Sequence, residues 1–232
     1  MEDRKRRIAI FDIDGTIFRS SLLIELVDAL IQAEIFPASA RRLYAKSFRV
    51  WLDRKGSYEN YINDVVRAFL KYIKGVGYKD FYRVASQVIL FHKNRVYRYT
   101  RDLVADLKKR HYYLVAISNS PIEIVEAFAK KELGFDDVYG RKYEVDSRGK
   151  FTGRIENIGL MLDKAAALED LVARSGLSLE DSMGVGDSEA DIAFLEKVKH
   201  PICFNPNREL YEHAKISGWK IVVERKDVIY FV

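Results

Sequence analysis

The run Phe11-Asp12-Ile13-Asp14-Gly15-Thr16 directly follows the apolar stretch Ile8-Ala9-Ile10. A short unbroken apolar run closed by acids and a glycine reads as a buried strand that breaks into a turn. In an open parallel α/β sheet, ligands bind beyond the carboxyl ends of the strands, so this placement delivers Asp12 and Asp14 to the usual reaction site. Side chains at i and i+2 on extended backbone point the same way. Both carboxylates can then serve one substrate, one as nucleophile and the other handling protons. Gly15 supplies the turn. The same Asp-x-Asp-Gly pattern also fits a calcium loop or an ordinary strand-ending turn.

A second acidic cluster, Gly184-Val185-Gly186-Asp187-Ser188-Glu189-Ala190-Asp191, again follows a short apolar run and opens a helical pattern. If Asp12 and Asp187 meet at adjacent strand ends, their hard oxygens suit Mg²⁺, which takes one or two carboxylates plus substrate phosphate. Neither run carries the ligand series and terminal Glu of a twelve-residue calcium loop. Between the clusters, Tyr113-Leu114-Val115-Ala116-Ile117 ends in Ser118-Asn119-Ser120-Pro121, with Pro121 placed to begin a helix. Free N–H groups at a helix start and a serine hydroxyl satisfy phosphoryl oxygens, although Ser before Pro is equally a routine helix cap. Lys164, in Leu160-Met161-Leu162-Asp163-Lys164-Ala165-Ala166-Ala167-Leu168, is placed near the start of a helix preceding the strand that leads to Asp187. Its ammonium suits a phosphoryl oxygen. A solvated lysine is the alternative, and Lys150 or Lys142 could compete for the role.

The coarse pattern along the chain is a strand, a helical block, then alternating strands and helices, which implies a parallel sheet. Strands are expected at Ile8 to Phe11, Tyr113 to Ile117, Ser182 to Val185, Pro201 to Phe204 and Lys220 to Val223, with a hairpin from Tyr143 to Val145 and Phe151 to Arg154. Helices are expected at Ser21 to Phe36, Ser39 to Arg54, Ser57 to Lys74 and Lys79 to Arg95, with breaks near Pro37, Gly56, Gly75 and Gly77. No apolar run approaches a membrane span, and the basic start Met1-Glu2-Asp3-Arg4-Lys5-Arg6-Arg7 lacks an apolar signal core. With one cysteine, Cys203 in an apolar strand, no intramolecular disulfide forms, and a cytoplasmic location is the default expectation.

Taken in order, Asp12-x-Asp14-Gly15-Thr16, Ser118, Lys164 and Gly186-Asp187-Ser188-Glu189-Ala190-Asp191 resemble the haloacid dehalogenase superfamily of phosphohydrolases. The resemblance implies a Rossmann-like parallel α/β core, residues 1–18 and 96–232, with an inserted all-helical cap at 19–95 that covers the active site. It also implies a mechanism. Asp12 attacks the phosphorus of a monoester to give an aspartyl-phosphate, while Asp14 protonates the leaving oxygen and then deprotonates water. Mg²⁺ is held by Asp12, Asp187 and the main-chain carbonyl of Asp14; Ser118, the Asn119 N–H and Lys164 hold phosphoryl oxygens. Asp191 orients Lys164 or a metal-bound water, with direct ligation left open.

Asp14 argues against haloacid dehalogenation, and Ser118-x-Ser120 with the helical insertion resembles the phosphoserine-phosphatase-like group. That group's pattern places an acid nine positions after the nucleophile and an Asn three after the downstream Asp, where this chain has Ser21 and Ala190. A small phosphate monoester other than phosphoserine is therefore the expected substrate, with esters bearing an apolar tail suggested by the aromatic cap. Residues 19–95 hold 14 Lys or Arg against 7 Asp or Glu, which leaves the remainder of this +5 chain slightly acidic. A positive cap attracts anionic esters; solvated helix faces explain the same charges. A phosphotransferase using the same intermediate, or an idle phosphate or nucleic-acid binder, are the alternatives. No nucleic-acid-binding module is recognisable.

Overall fold

A computed structural model describes residues 6–156 and 164–232 of the chain. Its centre is a seven-stranded sheet of β1 (Arg7–Phe11), β2 (Tyr113–Pro121), β3 (Asp137–Arg141), β6 (Ser178–Gly186), β7 (His200–Phe204), β8 (Lys220–Arg225) and β9 (Val228–Phe231), in the order β3-β2-β1-β6-β7-β8-β9. Neighbouring strands are parallel except the β8–β9 pair. β4 (Tyr143–Val145) and β5 (Phe151–Ile155) form the separate antiparallel hairpin expected from sequence. β1 lies between β2 and β6, so the chain runs outward on one side of β1 and returns on the other. The loops that follow β1 and β6 diverge there, which opens a crevice at the carboxyl edge.

The strands read as apolar runs because both faces are covered. Ala9 and Phe11 of β1 join Leu114 and Ala116 of β2, Ile202 and Phe204 of β7 and Val222 of β8 in one apolar cluster. Their alternating neighbours Ile8, Ile10, Val115, Ile117, Cys203 and Ile221 join the other. This is the two-residue period of extended backbone sorted onto opposite faces. Helices α5 (Arg98–Lys109), α6 (Ile122–Val125), α7 (Lys164–Ser175), α8 (Ile192–Leu195) and α9 (Arg208–Ser217) connect the strands. Residues 157–163, including Leu160 to Asp163 ahead of Lys164, lie outside the described residues.

The helical block comprises α1 (Leu22–Gln32), a 3₁₀ turn over Ala38–Leu43, α2 (Ala45–Leu52), α3 (Tyr58–Ile73) and α4 (Tyr78–His92). The single helix expected from Ser39 to Arg54 is thus divided at Tyr44. Tyr44 is buried and its hydroxyl donates to Asp28 on α1 at 2.9 Å, so this side chain anchors the joint where the chain changes direction. Ser57 caps α3, its Oγ accepting from the Asn60 N–H at 3.2 Å. The segment leaves and re-enters at one place: the Arg19 N–H donates to the Arg95 carbonyl at 2.9 Å, and Phe18 bridges Val96. β3 and β9, the two edge strands, were not among the expected strands; β3 lacks an apolar run, and β9 is a short apolar segment paired antiparallel to β8. No helix among the described residues is long and apolar enough to cross a membrane.

Candidate active site

β1 ends at Phe11, so Asp12 and Asp14 lie just beyond the carboxyl end of the strand. The Asp12 N–H donates to the Val185 carbonyl of β6 at 2.9 Å, which ties the first acidic turn to the strand leading to Asp187. Gly15 has φ +84°, and a Cβ there would stand 2.1 Å from Asp187 Oδ2. Only glycine meets both the backbone angle and this close approach. At Gly186 close approach alone applies, since a Cβ would lie 2.5 Å from the Asp191 Cβ.

Lys164, the first residue of α7, reaches into this crossing. Its Nζ donates to Asp12 Oδ1 at 2.6 Å and to Asp191 Oδ1 at 2.5 Å, all three side chains being buried. The other Asp191 oxygen accepts from the N–H groups of Asp187 and Ser188 at 2.9 and 3.0 Å. Asp191 therefore has both oxygens engaged and ties the lysine to the Asp187 turn. Lys142 pairs instead with Glu156 at 2.8 Å, and Lys150 lies on the hairpin beside Gly77.

Asp12, Asp187 and Asp191 present carboxylate oxygens within 4.8 Å of one another. Three carboxylates against one ammonium leave a net formal charge of −2 in a buried space. Burial, together with Asp191 and Asp14, pushes the Asp12 carboxyl up to about 7 despite the opposing Lys164. Burial and the neighbouring Asp12 and Asp191 likewise raise Asp187 well above the usual carboxylate range. Burial disfavours the Lys164 ammonium, yet Asp12 and Asp191 outweigh it and hold the lysine cationic. Asp12 Oδ2 is buried without a hydrogen-bond partner. An orphaned carboxylate oxygen, an all-oxygen donor set and an excess of two negative charges together fit a hard divalent cation.

Asp14 is turned differently. Its Oδ1 accepts from the Leu22 N–H at 2.5 Å, and its Oδ2 accepts from the Ser118 and Ser120 hydroxyls at 2.5 and 3.0 Å. The Ser118 Oγ also accepts from the Ser120 N–H at 2.9 Å. Pro121 is the N-cap of α6 and receives no side-chain cap, so the serines serve Asp14 instead of capping the helix. Asn119 is exposed, its side-chain oxygen accepting from Arg141 at 3.5 Å.

Two tyrosines complete the surroundings. Burial and then Asp14 and Asp187 raise the Tyr58 hydroxyl, which shares a hydrogen bond with Ser21. Burial and Asp187 raise that of Tyr97. Both line a cavity of about 630 Å³ that begins at Gly15. In the sequence Tyr58 is one of several aromatic residues spread across the helical block, and no local signal separates it from them.

The fold and this site define a class. The sequence model of the haloacid dehalogenase-like hydrolases matches residues 9–196, and the chain belongs to that family. It stands among the family's phosphatases, in the phosphoserine-phosphatase-like group. It is 25% identical over 215 residues to a phosphoserine phosphatase of Archaeoglobus fulgidus, covering 91% of this chain and 56% of that protein. A solved Bordetella pertussis protein of unknown function superposes with TM-score 0.75 at 22% identity, covering 94% of this chain and 98% of that one. A phosphoserine phosphatase solved as an analogue of its phospho-aspartyl intermediate superposes with TM-score 0.62 at 22% identity, covering 97% and 96%.

Proposed function

We propose that this chain is a cytoplasmic, Mg²⁺-dependent phosphomonoester hydrolase of small phosphorylated metabolites that works through an aspartyl-phosphate on Asp12. The observation that carries this reading is the asymmetry of the Asp12 carboxyl. Its Oδ1 is pinned by Lys164 at 2.6 Å, while its Oδ2 is buried without a partner. A carboxylate fixed through one oxygen and bare at the other is oriented as a nucleophile. The phospho-aspartyl analogue described for a structural neighbour supports the same chemistry.

In this reading the Asp12 carboxylate attacks phosphorus through one oxygen and the bond to the alcohol oxygen breaks. Asp14 gives that oxygen a proton, then takes one from the water that cleaves the aspartyl-phosphate, which frees phosphate and restores both carboxyls. To do so Asp14 exchanges its Ser120 hydrogen bond for the ester oxygen. The same movement frees the Ser118 hydroxyl, beside the Asn119 N–H, for a phosphoryl oxygen. Lys164 holds another, and Asp191 keeps Lys164 aimed. Asp12, Asp187 and the main-chain carbonyl of Asp14 would hold Mg²⁺, which when bound neutralises phosphoryl charge so that one anion can approach another. Residues 19–95 would act as the cap over a core of 1–18 and 96–232; the adjacent exit and entry at Arg19 and Arg95 support that division.

Phosphate release from a panel of monoesters, with and without Mg²⁺, tests the assignment. Wild type is expected to release phosphate only with the metal, and Asp12→Asn, which nearly preserves volume, should lose about 10⁴-fold or more in turnover with an unchanged circular dichroism spectrum. Undiminished release from that variant would overturn the assignment.

A further inference from the structure

The cavity that begins at Gly15 is large, of about 630 Å³, within the range of sites that enclose drug-sized ligands. One wall is aromatic: Phe48 and Trp51 from α2, Tyr58 and Tyr61 from α3, and Tyr44 at the joint before α2. The rings touch one another. Trp51 stacks on Tyr61 at 5.6 Å and 16°, Phe48 lies 5.1 Å from Tyr61, and Trp51 meets Tyr58 at 5.4 Å. Rings this close make a continuous apolar surface.

Two observations say what this surface receives. First, α2 buries none of its eight residues, although Phe48, Trp51 and Leu52 give it an apolar side. Ring contacts with α3 cover that side only in part, with Phe48 keeping 39% of its surface exposed, and leave apolar area facing the cavity. Second, the charged lining of the cavity is cationic in excess, with Arg19, Arg41 and Arg95 against Asp28, which disfavours an ammonium group. Asp28, the acid among its lining residues, accepts from the Tyr44 hydroxyl at 2.9 Å and pairs with Arg41 at 3.5 Å. Ser21, at the position nine after Asp12, is buried and shares its hydroxyl with Tyr58. Tyr58 stands between the two regions, close to Asp14 and Asp187 at one end and within the aromatic wall at the other.

We infer that this cavity is the leaving-group subsite, and that it takes the apolar body of a phosphate monoester of a hydrophobic alcohol. The inference rests on the phosphatase reading and deepens it. The phosphoryl group sits at Asp12 while the alcohol crosses Gly15 and lies along Trp51, Phe48 and Tyr61. The alcohol carries no ammonium, because among the described residues three lining arginines outweigh the one carboxylate.

The test is a chain-length series of ethyl, butyl and hexyl phosphate beside phosphoserine. The ratio kcat/KM should rise by about threefold per added methylene as each is buried, and hexyl phosphate should exceed phosphoserine. Trp51→Ala should flatten the series, reducing the hexyl-to-ethyl ratio at least tenfold, and Trp51→Phe should retain most of it. A flat series, or a preference for phosphoserine over butyl phosphate, overturns the inference. Hexylphosphonate and ethylphosphonate, which have no ester to cleave, probe the cavity apart from turnover through quenching of tryptophan fluorescence. If no ester is hydrolysed, the catalytic reading fails; tighter binding of hexylphosphonate still supports the subsite, and equal binding refutes it.

Discussion

The carboxylate crossing at the strand ends and the aromatic wall beside it are built on opposite principles. At the crossing, Asp12, Lys164 and Asp191 are almost fully buried and each polar contact is directional, with Asp191 alone fixed by Lys164 and two backbone N–H groups. Removing one partner from such a buried set strands the others and costs about 3–5 kcal/mol. The wall is held by ring contacts worth about 0.5–1.5 kcal/mol each beyond area burial, and Phe48 and Tyr58 keep 39% and 42% of their surface exposed. The first region has one workable geometry; the second tolerates exchange of one ring for another. The carboxylate crossing is thus over-determined, while the aromatic wall is adjustable.

The largest test of that contrast is Lys164→Ala. It leaves Asp12 and Asp191 buried without their cation, so stability in urea should fall by about 3–5 kcal/mol and turnover by at least a hundredfold. If Tyr61→Ala, in the wall, destabilises the protein as much, the two regions do not differ as described.

Next is Gly15→Ala. Its Cβ would meet Asp187 Oδ2 at 2.1 Å in a left-handed backbone conformation, so Asp187 must move. Turnover should drop about a hundredfold, the effect of an ångström-scale misplacement, with a smaller change in melting temperature than Lys164→Ala gives. Wild-type activity in this variant would remove the close approach from the catalytic geometry.

The smallest effect concerns a buried carboxyl without a cation. Glu123 at the start of α6 is buried with Oε2 unpartnered, and burial raises it to about 7, with Glu126 adding to the rise and Lys142 opposing it. The native state therefore binds this proton more readily than the unfolded chain does. The added stability is complete below pH of about 4.5 and is lost as pH rises through about 7, amounting to at most about 3 kcal/mol. Urea midpoints measured from pH 5 to pH 8 should decline more steeply in wild type than in Glu123→Gln. Identical slopes would show that Glu123 titrates normally.

Much of this was written locally in the chain. The apolar runs around Ile10, Val115, Val185 and Cys203 specify buried parallel strands, because only backbone covered on both faces lacks polar alternation. The acids that follow two of those runs sit beyond strand ends for the same reason. Lys164 was a candidate among three lysines, and the hairpin from Tyr143 was legible from its flanking residues and glycine loop. What the sequence alone did not determine depends on groups far apart along the chain meeting in space. Pairing of β1 with β6 sets Asp187 against Gly15, and the place of α7 brings Lys164 to Asp12 while Lys142 pairs with Glu156. Packing of α1 against Tyr44 divides a continuous helical pattern in two and so forms the aromatic wall. The Ser118 hydroxyl turns to Asp14 because the fold places that carboxylate within its reach, and local sequence carries no record of a partner 104 residues away.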